Sequence, residues 1–158
     1  MVRTNSEQYW LFKSEPDCYS IDDLAQAPQQ TARWDGVRNF QARNFLRDQV
    51  AAGDRVFFYH SRCKIIGIVG TAIVSRASYT DPQQFDPQSP YFDAKSSAEA
   101  PRWFCVDITL TKKFAQTVTL DQIKQIQALD EMVLRKQGRL SVQPVTQREW
   151  QTINQLAL

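Results

Sequence analysis

The apolar positions of this chain follow two rhythms. One is the dense run of a buried strand. Residues 9–13, YWLFK, are aromatic and aliphatic almost throughout, which predicts a strand buried on both faces. Ser14-Glu15-Pro16 ends it, because proline cannot donate to a central ladder. Residues 54–61 (DRVFFYHS), 65–75 (IIGIVGTAIVS), 102–110 (RWFCVDITL) and 139–145 (RLSVQPV) predict four more strands. In the second of these, Gly67 and Gly70 mark bends or close backbone approach.

The other rhythm is helical, and its starts are well signed. Ser20 with Asp23, Thr119 with Gln122, and Thr146 with Glu149 each match a capping box. Each box is flanked by a staple pair: Tyr19 with Leu24, Val118 with Ile123, Val145 with Trp150. A further helix follows the turn Asp35-Gly36, with Ala42, Phe45, Leu46 and Val50 as its buried stripe. Gly138 stands where a helix holding Met132, Val133 and Leu134 would end in a left-handed glycine. Strands at these intervals with few helices between them predict an α+β domain, a small mixed barrel with flanking helices. Residues 1–158 make one such domain.

Residues 78–101 interrupt both rhythms. Pro, Asp, Ser and Gln dominate, and a loop this long in a compact domain is usually functional or disordered. Tyr79, Phe85, Tyr91 and Phe92 give it apolar anchors, so an ordered flap is expected.

Charge changes the picture only locally. The formal net charge is +2, yet residues 33–64 hold seven Arg or Lys (33, 38, 43, 47, 55, 62, 64) against three Asp (35, 48, 54). A local excess of four on a near-neutral chain suits contact with a few phosphates rather than coating of DNA; a solvated helix face is the plain alternative. No apolar run approaches the ~20 residues of a membrane span, and MVRTNSEQ lacks a signal-peptide core, so a cytoplasmic protein is expected, nuclear if the source is eukaryotic. Cys18, Cys63, Cys105 and the single His60 offer neither a disulfide framework nor a metal-ligand pattern. No glycine-rich nucleotide loop and no nucleophile elbow is present, so no cofactor is expected.

What remains is aromatic and amide chemistry. Trp10, Trp34, Tyr59 and Trp103 offer flat faces; Lys13, Ser14, Asn39, His60 and Ser61 lie near them in sequence with donors and acceptors. That mixture suits a planar heterocycle held by stacking and read along its edge. Trp34, in the polar stretch ARWDG, is the tryptophan least provided with apolar neighbours in sequence.

Over Tyr9 to about Trp150, the segments YWLFKSEP, YSIDDL, WDGVRNFQARNFLR, FFYHS with GIVG, YTDPQQFDPQSPYFD with PRWFCVDI, and RLSVQPVTQREW resemble the EVE domain family, in particular its thymocyte nuclear protein-like and bacterial members. The resemblance implies a PUA-like fold, a pseudo-barrel with flanking helices. It also implies a non-catalytic reader of a modified base in DNA or RNA, 5-modified cytosine foremost, by kinship with domains that cage methyladenine between tryptophans. Carried over, the base pocket is Lys13, Ser14, Trp34, Asn39, Tyr59, His60 and Ser61, with Arg38, Arg43 and Arg139 as phosphate partners and Arg47 extending the basic edge. The segment between SEP and YSIDDL is only Asp17-Cys18, shorter than in some relatives, so a contact supplied there would be missing. Two other readings stay open: an enzyme acting on a modified nucleoside with His60 as acid or base, and an RNA-binding module of the translation or RNA-modification machinery.

Overall fold

The computed structural model describes residues 7–158. The stretch MVRTNSEQ, which carries the expectation of no signal peptide, therefore lies mostly outside the described residues. Six strands form one mixed sheet: β1 (Tyr9–Ser14), β2 (Thr31–Trp34), β3 (Arg55–His60), β4 (Gly67–Thr80), β5 (Phe104–Thr119) and β6 (Val142–Val145), in the order β2-β5-β4-β3-β1-β6. β1 and β3 are parallel and every other pair is antiparallel. The expected barrel is not closed by hydrogen bonds, since β2 and β6 stand at opposite edges of the sheet. The helices are α1 (Ile21–Gln26), α2 (Phe40–Asp48), α3 (Leu120–Lys124), α4 (Val133–Lys136) and α5 (Gln147–Leu156). No helix among the described residues is long and apolar enough to cross a membrane.

Both faces of the sheet are covered, which is why its central strands read as unbroken apolar runs. Trp10, Phe12, Val56 and Phe58 face a core shared with α1 and α2, while Leu11, Phe57 and Tyr59 face a second core under α3 and α5. Successive side chains of a strand point to opposite faces, so each strand feeds both cores. The three capping boxes form as the sequence requires, with Ser20, Thr119 and Thr146 each accepting from N3 and receiving the N3 side chain in return. Each such cap contributes about 1 kcal/mol. Each staple pair lies within one core: Tyr19 with Leu24 in the first, Val118 with Ile123 and Val145 with Trp150 in the second.

Three local readings need correction. β2 was not foreseen; it is only four residues long and polar in half of them. β5 runs on to Thr119, well past the alternating segment, and its register against β4 shifts at several points. Such irregularities bend and twist long strands. A side-chain carbon at Gly70 would fall 2.3 Å from both the Lys112 carbonyl and the Ile21 methyl, so glycine is required there by close approach. Gly138 follows the last residue of α4 and its cap but does not take the left-handed backbone, which among glycines belongs to Gly36 and Gly53.

Candidate functional site: a cleft at the end of the first strand

The end of β1, the end of β2 and the start of α2 converge with the long loop on a cleft of about 540 Å³. Ser14 closes β1, and its hydroxyl donates to the Tyr19 carbonyl at 2.7 Å. Trp34 closes β2, and Asp35-Gly36 turns the chain with Gly36 at φ +75°. Asn39 caps α2 by accepting the Ala42 N–H at 2.9 Å. Its amide NH₂ keeps no protein partner among the described residues and borders the cleft. Tyr19, Val37, Tyr91 and Ser141 complete the walls.

The loop is held over this turn chiefly by buried polar groups, and of the aromatics expected to anchor it Tyr91 is the one that packs on the turn. Asp81 is fully buried; one carboxylate oxygen accepts from the Gly36 N–H and from Arg38 Nη1, both at 2.9 Å, and the other accepts from the Gln83 N–H at 2.8 Å. Gln84, also fully buried, donates to the carbonyls of Asp81 and Trp103 and accepts from the amides of Arg102 and Trp103. Both hydrogens and both carbonyl lone pairs of its amide are thereby satisfied, which makes burial tolerable. Phe85 and Phe92 remain largely exposed, while Tyr91 lies against Gly36, where a side-chain carbon would come within 2.9 Å of its ring. The loop is thus an ordered flap as expected, on a different footing.

Of the seven expected pocket residues, Lys13, Ser14, Trp34 and Asn39 line the cleft. Trp34 is not the exposed stacking face that its polar neighbours suggested. It is 7% exposed, with its ring 5.5 Å from that of Phe12 and 5.2 Å, edge-on, from Phe58. Its apolar company comes from other strands. Only a small part of the indole is left for the cleft.

Tyr59, His60 and Ser61 do not line it. Tyr59 follows Phe58 and so points to the opposite face of the sheet, into the second core, where burial pushes its hydroxyl up to about 12. His60 Nε2 accepts the Ile21 N–H at 3.1 Å and so tethers the first turn of α1; burial lowers its pKa, against a smaller opposite pull from Asp22. Ser61 donates its backbone N–H to the Ser14 carbonyl, extending the parallel ladder. Lys13 bridges the two regions: its ammonium donates to the Gly138 carbonyl, stands 5.4 Å from the Tyr59 ring centre, and is lowered in pKa by burial.

The expected phosphate partners also divide. Arg38 is committed within the protein. Besides Asp81, its Nε and Nη2 donate to the Tyr91 carbonyl at 3.1 and 2.9 Å. Arg47 pairs in the open with Asp48 at 2.7 Å. Arg43 donates to the Arg102 carbonyl and the Asn44 side chain and makes no ion pair among the described residues. Arg139 is exposed beside a groove of about 320 Å³ that adjoins the cleft through Asn39. Asp81, Gln84 and Tyr91 were not singled out from the sequence as part of the site. The contacts that tie them to the turn and to Arg102 and Trp103 span 18 to 53 residues, and no local pattern announces those.

The six-stranded mixed sheet, its flanking helices and the cleft at one end define the class. A model of the EVE domain family matches residues 8–156, and the chain belongs to that family. Mouse thymocyte nuclear protein 1 is 40% identical over 166 residues, covering 94% of this chain and 73% of its own length. Among solved structures, a hypothetical protein from Leishmania major superposes with a TM-score of 0.93 at 43% identity, covering 98% of this chain and 97% of the other. Human THYN1, solved in complex with DNA containing 5-methylcytosine, superposes with a TM-score of 0.92 at 38% identity over 96% and 98% of the two chains. A yeast YTH domain solved with N6-methyladenosine RNA shares the fold alone, with a TM-score of 0.54 at 11% identity over 99% and 90%.

Proposed function

We propose that this protein is a non-catalytic reader of a modified base in nucleic acid, 5-methylcytosine in DNA first, and that the cleft holds the base after it leaves the stack. The observation that carries the reading is the human relative's complex with 5-methylcytosine DNA, at a TM-score of 0.92, taken with a cleft on this chain that has room for a base. Such a site needs aromatic or apolar walls and a few directed polar groups. Here Tyr19, Tyr91, Val37 and the exposed part of Trp34 supply the walls; the Asn39 NH₂ group, the Ser14 hydroxyl and Lys13 supply the polar edge. The PUA-like description of the fold belongs to the same reading, and so does a nuclear or cytoplasmic place of work. His60, the residue that motivates an enzyme reading, accepts the Ile21 amide and does not line the cleft, which favours the reader.

Matched duplexes with cytosine or 5-methylcytosine at one position, titrated against the protein, test the proposal. A preference for the methylated duplex is expected. Equal affinity for both overturns it. Stronger binding to the matching RNA moves the partner to RNA and leaves the cleft's role intact.

A further inference from the structure

Phe40, the first residue of α2, is 47% exposed, although it is aromatic and next to the cleft residue Asn39. It is backed by a rigid partner. Its ring stacks on that of Trp103 at 4.8 Å and 24°, and the Trp103 indole N–H is fixed to Asp93 at 2.7 Å. Guanidinium groups surround it, that of Arg43 at 4.9 Å and that of Arg102 at 5.3 Å from the ring centre. The cleft residue Arg38 lies over the same Trp103 at 5.3 Å, so contacts run unbroken from the cleft to Phe40. Arg43 is held below its ordinary pKa by burial and by the like charges of Arg47 and Arg102, a crowding that a nearby anion would relieve.

An exposed apolar ring with firm backing and cations at its sides fits one partner chemistry well. Aromatic and aliphatic side chains that enter a duplex need apolar faces, and the phosphates on either side need positive charge. A base taken into the cleft leaves a gap in the stack it came from. We propose that Phe40 enters the base stack of duplex DNA at that gap, with Arg43 and Arg102 on the flanking phosphates. This rests on the reading of the cleft as the seat of the extruded base.

The test uses a duplex carrying one 5-methylcytosine and the methylated strand alone, titrated with wild type, Phe40→Ala and Phe40→Leu. A single strand has no gap to fill. Phe40→Ala is expected to bind the duplex roughly 5- to 100-fold more weakly, the span of one stacking contact, and the single strand as wild type does. Phe40→Leu, which keeps an apolar wedge, restores most of the duplex affinity. Full duplex affinity in Phe40→Ala, or an equal loss on duplex and single strand, overturns the proposal. Wild type that binds methylated and unmethylated duplexes alike refutes the cleft reading instead, whatever Phe40 does. Melting curves of both variants check that the fold is kept.

Discussion

Truncation of Trp34 separates a residue that serves the core from one that serves only a ligand. Read from its polar neighbours in sequence, Trp34→Ala should leave the fold intact and cost only one base–aromatic stack, ~1–3 kcal/mol of binding. The structure reverses this. The indole is 7% exposed and touches Phe12 and Phe58 in the first core. Removing a buried tryptophan costs ~3–5 kcal/mol through lost contacts and the cavity left behind. That is a large part of the ~5–15 kcal/mol by which a domain is usually stable. At ~2–4 °C per kcal/mol for a chain of this size, the melting temperature should fall by ~6–20 °C.

Thermal and urea melts of Trp34→Ala and Trp34→Phe check this, and Trp34→Phe should fall between the variant and wild type because it keeps an aromatic ring. Binding of the methylated duplex is then measured well below the lower melting temperature. A Trp34→Ala protein that melts with wild type while losing base binding would refute the reasoning, and would return Trp34 to the role of a free stacking face.

Three further outcomes follow from the same contacts. Burial lowers the folded-state pKa of His60 below 6.5, so the unfolded chain takes up that proton first as pH falls. The stabilisation is complete above about pH 6.5 and is lost as pH falls through the folded value. Melting temperatures from pH 7.5 to 5 (roughly, above the range where carboxylates titrate) should therefore decline more steeply for wild type than for His60→Gln. Asp81→Ala leaves Arg38 without its buried partner and the Gly36 amide without its acceptor, at a cost of ~3 kcal/mol; it should lower the melting temperature and open residues 82–101 to proteases, and uniform resistance would contradict the loop's polar anchoring. Gly36→Ala places a methyl against the Tyr91 ring at φ +75°; a loss of ~1–2 kcal/mol is expected for the backbone alone, together with weaker base binding as Tyr91 moves, and unchanged binding would remove Tyr91 from the site.

The elements announced by local chemistry were legible. Capping boxes depend on residues three apart, and all three form. Apolar runs bounded by breakers gave β1, β3 and the first half of β4 and β5. β2 was hidden because Thr31 and Arg33 make it half polar, and because Trp34 finds its apolar neighbours on β1 and β3. That Tyr59 does not line the cleft has a clear cause. Where VFFY is apolar at every position, alternation gives no sign of which face each side chain takes. That is decided by pairing with β1 and β4, where Tyr59 sits opposite Lys13 and Ile68. His60 was attractive as a lone titratable group near hydroxyls, but nothing local shows that its ring nitrogen would be claimed by an amide 39 residues away.

The same lesson bears on charge, and it sharpens where phosphates can bind. Of the seven cations between residues 33 and 64, four form ion pairs among the described residues: Arg33 with Asp35, Arg38 with Asp81, Arg47 with Asp48, and Arg55 with Glu7. These pairs are not equivalent. Arg47 and Asp48 are both substantially exposed, and such a pair is worth about 0–1 kcal/mol, so a phosphate could take the guanidinium at little cost. Asp81 is fully buried, and freeing Arg38 would strand its carboxylate as well as release the flap from the Tyr91 carbonyl. Arg38, expected as a phosphate partner, is therefore part of a clasp. Around the cleft, the cations left for a nucleic-acid backbone are the outer ones, Arg43, Arg47, Arg139 and Arg102, the last in a partly exposed pair with Asp93, flanking the cleft rather than filling it. With so few of them, backbone attraction alone gives weak binding, and discrimination has to come from the walls and polar edge that meet the base.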